Sequence, residues 1–434
     1  MDNKGVLTTE YRDQYPVWSI VLAMAFILLS PFVSPMTSYA ALIVCLYRVF
    51  RYDSRVFATD YVLLAPIANV FRTSAGLTLL IVLCLAAAVV YLVRESFRAD
   101  RSLVLILILL NYLLLRMQVG ITDFMLCFGQ IFLLWVLLPK QNTQSAVRTA
   151  KAFCVGLLIT SLYALVFQET WQLRAVIGAD AEAIWGTGIM RFHGLYNDPN
   201  YYMTMLIVGM ALIIKLREYG RLKTLPFVLM FAGMTALGVL TYSKTFFLTF
   251  ILLGVVYIIW QFRNKKVFWG TALIVAVAIG AEYFLFSENS PFAVVISRFL
   301  GSEDLSDLTT GRSDVYLQYL EAITKDPLTF LFGYGFTAPG LRNDPHNIYL
   351  EIIYRCGAVG IVLIMVFFMS LAGIVKWQEP LAAQQSMAER YFIIAMVMIL
   401  YFTLNGMFMV EVYPNVFLAF LAILITPKPV EEPQ

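Results

Sequence analysis

Charge is scarce in this chain. Only 14% of its 434 residues are Asp, Glu, Lys or Arg, 60% are hydrophobic, and the mean hydropathy is +0.78. A soluble domain keeps about a quarter of its residues charged, so a soluble globular fold is excluded. Histidine occurs only twice, at His193 and His346. No grouping of His with Cys or carboxylates has divalent-metal spacing, so neither a metal site nor a metal cofactor is expected. The five cysteines, Cys45, Cys84, Cys127, Cys154 and Cys356, are odd in number and lie in or beside apolar runs. With no C-x-x-C among them, they read as small apolar residues rather than disulfides. P-loop and dinucleotide fingerprints are missing, which argues against a nucleotide-driven reaction. The net charge of +3 gives no sign of a nucleic-acid partner. The alternating segments of a β-barrel are missing too. The first 16 residues are polar, and two apolar runs follow in succession, so no cleavable signal is expected.

What is present is a succession of apolar runs of about 15–20 residues, the length of a bilayer-spanning helix. Such runs cover 17–33, 38–50, 56–71, 76–93, 103–115, 121–138, 152–167, 201–216, 225–241, 245–260, 267–286, 357–377, 391–410 and 414–426. Some are short or polar, so the expectation is one all-α polytopic membrane domain over 1–434 with 12–14 transmembrane helices. The basic stretches "RYDSR", "RESFRADR", "KLREYGRLK" and "QFRNKK" fall in alternate loops. The positive-inside rule then puts both termini in the cytoplasm. Two large loops, 168–200 and 287–356, are left outside, and they carry both histidines. Most of the outer basic residues fall there: Arg174, Arg191, Arg298, Arg312, Lys325, Arg342 and Arg355, with Lys244 in a tight outer turn.

Asn-Asp-Pro occurs once in each outer loop, in "HGLYNDPNYY" and "RNDPHNIYLE". Asp before Pro is a helix-start signal. Asp198-Pro199 is expected to open the helix that carries Asn200 and becomes the next span. Asp344-Pro345 is expected to open a helix through His346, Asn347, Tyr349, Leu350 and Glu351. His346 then falls in a first turn, where the helix dipole favours anions and keeps an imidazole neutral. Glu351 is four residues from both Asn347 and Arg355 and shares their face. Thr310 is placed to cap a helix carrying Arg312, Tyr316 and Tyr319. Two arginines with a lysine suit the oxygens of a phosphate or a departing diphosphate, and Lys244 alone could equally be a snorkelling interfacial residue.

The ordered elements "RFHGLYNDPN", "SKT" at 243–245, "GRSDVY" from Gly311 and "HNIYLEIIYRCGAVG" from His346 resemble the O-antigen ligase and polymerase superfamily. The resemblance implies an integral-membrane glycosyltransferase of the second GT-C class with a large helical extracytoplasmic loop. Such enzymes move a glycan from an undecaprenyl-diphosphate carrier to an acceptor hydroxyl, without metal and with inversion. Carried onto this chain, Arg191 and Arg312 would grip the diphosphate and His346 would orient or deprotonate the acceptor. His193, Asn200, Lys244, Arg342, Asn347, Tyr349, Glu351 and Tyr316 would line the substrate site. Ligase-like relatives often have Arg at the position of Lys244, and Glu-x-Gly where this chain reads Arg355-Cys356-Gly357.

Three functions compete. The first is a polymerase of lipid-linked repeat units for O-antigen, capsule or exopolysaccharide, working in a bacterial inner membrane with an extracytoplasmic active site. Its partners would include the lipid-linked glycan, the bilayer, a chain-length regulator and a flippase. The second is a ligase that passes finished glycan to lipid A core or protein. The third is a transporter or flippase of lipid-linked sugar, which would place ionisable residues and broken helices at mid-membrane in repeated halves.

Overall fold

The computed structural model describes residues 15–71, 78–94, 101–117, 131–177, 190–196, 198–261, 291–300, 312–335, 341, 345, 347–377, 417–418, 421–422 and 424–425. Every regular element among them is a helix, as the apolar runs imply. The first group is α1 (Val17–Leu29), α2 (Pro35–Arg51), α3 (Ser54–Leu64, extended by a 3-10 turn, Ala65–Val70), α4 (Leu79–Arg94), α5 (Arg101–Met117) and α6 (Ile131–Lys140). There follow α7 (Thr143–Phe167), α8 (Trp171–Ile177), α9 (Pro199–Glu218), α10 (Thr224–Val239) and α11 (Lys244–Gln261). The last are α12 (Pro291–Leu300), α13 (Arg312–Thr324), α14 (Pro327–Phe332) and α15 (Ile348–Trp377).

Local chemistry sets the helix starts more sharply than apolarity does. Ser34 accepts from the Met36 N–H at 3.2 Å with Pro35 behind it, so α2 begins three residues before its apolar run. Asp53 caps α3 through the Val56 N–H at 3.0 Å. Asn142 and Ser145 form a reciprocal box at the start of α7, nine residues ahead of the expected span.

α9 is the centre. Tyr202 through Leu216 are all buried, and α7, α10 and α11 pack around it. A helix that is apolar all round has no face to give to water, so it takes the middle of the bundle. α3 lies on the far side of α7, and α4 packs against both α2 and α3. At the other end of the chain α15 packs on α5, α13 and α14.

α7, α9 and the Tyr349–Leu371 part of α15 are each long and apolar enough to cross a membrane, while α1, α4, α5, α6 and α10 are shorter apolar helices. The chain is thus an all-α integral membrane protein. The expected spans at 267–286 and 391–410, the first half of 121–138 and much of 414–426 lie outside the described residues.

One buried ion pair is set inside the bundle. Asp60 sits in mid-α3 and is buried against Arg48 of α2. The guanidinium holds both carboxylate oxygens at 2.7 Å. It also donates to the Pro16 carbonyl at 2.7 Å and to the Ser19 hydroxyl, and the Tyr15 hydroxyl donates to Asp60. A buried ion is tolerated only when paired and saturated with hydrogen bonds in this way. The pair ties α2 and α3 to the segment that leads into α1.

Candidate functional site

The first motif region is built at the head of α9. Asp198 accepts from the Asn200 N–H at 2.5 Å, and Pro199 occupies the first helical position, as its sequence implies. Asn200 therefore stands in the first turn of the most enclosed helix. Its side-chain oxygen accepts from the Ser243 hydroxyl at 2.8 Å and from an Arg191 nitrogen at 3.4 Å. Arg191 Nε donates to the Thr241 carbonyl at 2.9 Å, and the Phe192 N–H donates to the Leu240 carbonyl at 3.0 Å. The neighbouring stretches 191–192 and 198–200 are thus joined to each other and to the distant turn at 240–243.

The turn that completes this lock is strained. Tyr242 has φ of 49°, a left-handed conformation that costs a bulky L-residue about 1–2 kcal/mol. Such strain persists only where surrounding contacts over-determine it, and it gathers at functional sites. Ser243 then caps the next helix through the Phe246 N–H at 3.4 Å. Lys244 is the first residue of α11 and half-buried. A cation there opposes the helix dipole, at a cost of about 0.3–1 kcal/mol.

His193 is part of the scaffold of this region. It is buried, and its Nδ1 lies 2.6 Å from the Tyr196 carbonyl, while the Tyr196 N–H returns to the His193 carbonyl at 3.1 Å. Nδ1 therefore carries the proton. Burial lowers the imidazole pKa, and the positive charges of Arg174 and Arg191 add to this, so the ring is neutral near pH 7. Gly194 follows with φ of 60°, and a Cβ there would come within 2.6 Å of the Tyr202 ring. The tight turn presses Phe192 edge-on to Tyr202 at 5.2 Å, and Tyr202 hydrogen-bonds to Ser161 of α7 at 2.7 Å.

The second region gathers around α15. Its start differs from expectation. The Asn347 side chain accepts from the Tyr349 and Leu350 N–H groups at 3.0 and 3.3 Å, so Asn347 is the N-cap and α15 begins at Ile348. Asn competes as well as Asp for this role. Pro345 and Asn347 thus both lie ahead of the helix, where the sequence pattern has Pro345 opening it. His346 itself, Arg342 and Asp344 lie outside the described residues, as does Thr310. The shared face of Asn347, Glu351 and Arg355 is as expected: the Glu351 N–H bonds to the Asn347 carbonyl at 3.0 Å, and Glu351 pairs with Arg355 at 2.9 Å.

Arg312 is the first residue of α13, with Tyr316 and Tyr319 behind it on the same helix. Tyr319 and Ile323 are buried with Tyr354 of α15 in a small separate core, and the Tyr319 and Tyr354 rings are 4.9 Å apart. This core brings the Arg312 helix onto the helix of Asn347, Tyr349 and Glu351.

A break at Gly357, with φ of 66°, divides α15. It frees carbonyls that a continuous helix would satisfy, and neighbours take them up. The Tyr334 and Gly335 N–H groups donate to the Tyr354 and Arg355 carbonyls at 2.7 and 2.8 Å, and the Tyr112 hydroxyl donates to that of Cys356 at 2.5 Å. Gly333, Gly335 and Gly357 all have positive φ. A Cβ on Gly333 would lie 2.6 Å from the Arg355 carbonyl group, and one on Gly357 would strike the Leu331 carbonyl.

Sequence reading missed Arg116, which ends an apolar run and looks like a snorkelling residue. One of its terminal nitrogens donates to the Gly333 carbonyl at 2.5 Å, and its Nε is buried without a hydrogen-bond partner. It also missed the orienting roles of Thr241 and Ser243, for which Asn200 gave no local signal. The structure therefore brings Arg191, Asn200 and the turn before Lys244 into one group, and it packs the helix that begins at Arg312 against the helix that carries Tyr349 and Glu351. Among the described residues no group of three or more His, Cys, Asp or Glu could hold a metal ion.

A family model described as O-antigen ligase matches residues 226–365, from α10 into the second half of α15. It contains Ser243, Lys244, Arg312, Asn347, Glu351 and Gly357. Arg191 and Asn200 precede it in sequence but are tied to it through Thr241 and Ser243. No curated protein and no solved structure matches the chain.

Proposed function

We propose that this chain, which belongs to the O-antigen ligase/polymerase superfamily, is a membrane glycosyltransferase that polymerises lipid-linked repeat units of a cell-envelope polysaccharide. The observation that carries the reading is the lock of Arg191, Asn200 and Ser243. It orients a guanidinium beside the first turn of a central helix, with Lys244 next in sequence. That arrangement suits an anion such as a diphosphate.

In this reading the two groups of residues serve one extracytoplasmic site. The acceptor hydroxyl attacks the anomeric carbon from the face opposite the diphosphate. The new glycosidic bond forms as the bond to the diphosphate oxygen breaks, and undecaprenyl diphosphate departs with that electron pair. Arg191, Arg312 and Lys244 balance the charge that builds on the leaving oxygens. His346 takes the acceptor's proton, a role worth roughly 10²–10⁴ in rate. Asn200 fixes Arg191, Asn347 caps its helix, and Glu351 orients Arg355. The carrier lies in a bacterial inner membrane, both termini are cytoplasmic, and no metal takes part.

Reconstitution with a lipid-linked oligosaccharide, followed by sizing of the products, tests this. A ladder of repeat units supports polymerisation. The description of the matched family favours a second reading, ligation, which would give a single mass shift that requires a separate acceptor. Turnover that survives His346→Ala would remove the proposed base.

A further inference from the structure

The segment 287–356 is expected to be a large helical loop outside the membrane, yet its described helices carry exposed apolar surface. From Pro327 to Gly335 the chain reads "PLTFLFGYG", without a charge. No residue of α14 is buried, and Leu328, Phe330, Leu331 and Phe332 are all exposed, Leu328 to 69%. α13 is three-sided. Tyr319 and Ile323 face the small core, while Asp314, Gln318, Glu321 and Lys325 form an exposed polar side. Leu317 and Leu320, three apart and so on one face, make an exposed apolar side. Exposed apolar surface gathered in this way marks a contact.

The position of α14 identifies the contact. It packs on α15 at the Gly357 break, with the Leu331 carbonyl against Gly357. The break lies within Tyr349–Leu371, a helix apolar and long enough to cross the membrane. Beyond it α15 displays Val362, Met365 and Met369, exposed as a lipid-facing flank is, Met369 to 70%. The apolar surface of α14 thus sits on a candidate membrane span, and Lys325 and Asp326 mark its polar edge.

We infer that α14 and the Leu317–Leu320 edge of α13 form an interfacial element seated in the acyl-chain border of the leaflet at the Asn347 end of α15. The occupant is bulk lipid. The inference rests on the membrane embedding of α15 and is independent of glycan transfer.

Nitroxide labels on single cysteines at Leu328, Leu317, Gln318 and Lys325, in the full chain with Cys127 replaced by Ser, test it. The chain is reconstituted in phosphatidylethanolamine–phosphatidylglycerol vesicles free of polyprenyl lipid, and collision rates with oxygen and with a water-soluble nickel chelate are measured. The expected result is high oxygen and low nickel accessibility at Leu328 and Leu317, and the reverse at Gln318 and Lys325. Nickel accessibility at Leu328 equal to that at Lys325 would overturn the inference, since the helix would then face water. An immobile label shielded from both reagents would overturn it too, because a second copy or another part of the protein would then cover the patch. Hydroxyl-radical footprinting of the unsubstituted chain in the same vesicles removes any dependence on the substitutions: Phe330 and Phe332 should stay unmodified, and their oxidation would refute the seating.

Discussion

Asn200→Asp separates a charge role for Arg191 from a scaffolding one. The substitution is nearly isosteric and keeps an acceptor for both the Ser243 hydroxyl at 2.8 Å and the Arg191 nitrogen at 3.4 Å. A carboxylate 3.4 Å from the guanidinium gains about 5 kcal/mol in gross Coulomb energy at an effective dielectric of 20. Desolvation and screening of two half-buried groups cancel most of that, leaving about 1 kcal/mol or less. A carboxylate in the first turn of α9 also suits the helix dipole. Stability should therefore hold or rise slightly. Activity should not. A diphosphate on Arg191 would lie roughly 6 Å from the new charge, and the repulsion at that distance is about 3 kcal/mol at the same dielectric. If half of it survives screening, the transfer rate falls by roughly 10-fold, and by roughly 150-fold if all of it does. Thermal melting in detergent, together with initial rates on a lipid-linked oligosaccharide in vesicles, reads both quantities. A rate within twofold of the unsubstituted chain, at an unchanged melting temperature, would refute the assignment of Arg191 to the leaving group.

Other outcomes follow from the geometry. Asp60→Ala strands the buried Arg48 guanidinium and should cost about 3–5 kcal/mol; melting should show it, and Arg48→Met in the same chain should recover much of the loss. Gly357→Ala forces a Cβ onto the Leu331 carbonyl at a positive φ, and should lower the melting temperature and folded yield more than Gly254→Ala, which meets nothing within 4 Å. The lowered pKa of His193 means that the unfolded chain takes up its proton more readily. This contribution to stability is present above the ordinary histidine value of about 6.5 and is lost as pH falls through the lowered folded value. Melting between pH 8 and pH 5 should drop toward acid, and His193→Asn, whose amide can still donate to Tyr196, should flatten that drop.

Much of the architecture was open to reading, and the reasons lie in particular residues. The apolar runs give the helices, because a bilayer demands length and hydropathy that sequence displays directly. Asp198-Pro199 fixes the start of α9, because cap and first-turn proline act within three residues. The second Asn-Asp-Pro misleads because Asn347, two residues beyond its proline, is an equally good cap. The Arg48–Asp60 pair was hidden because its partners sit on different helices in basic and apolar surroundings that each looked ordinary. Asn200 could be flagged as a motif residue, but its joining of Arg191 to Ser243 depends on how α9 packs against α10 and α11. The apolar surface of α14 was visible as "PLTFLF", yet a six-residue run is too short to register as membrane-facing without the span beneath it.

The two groups of motif residues rest on foundations of unequal tolerance. Around Asn200 the neighbours are side chains in a filled interior, which can repack when one of them changes. Around Gly333, Gly335 and Gly357 main chain meets main chain, with nothing flexible to yield. Variation in a lineage of such proteins should therefore drift through conservative exchanges in the first region and be almost frozen at these three glycines in the second.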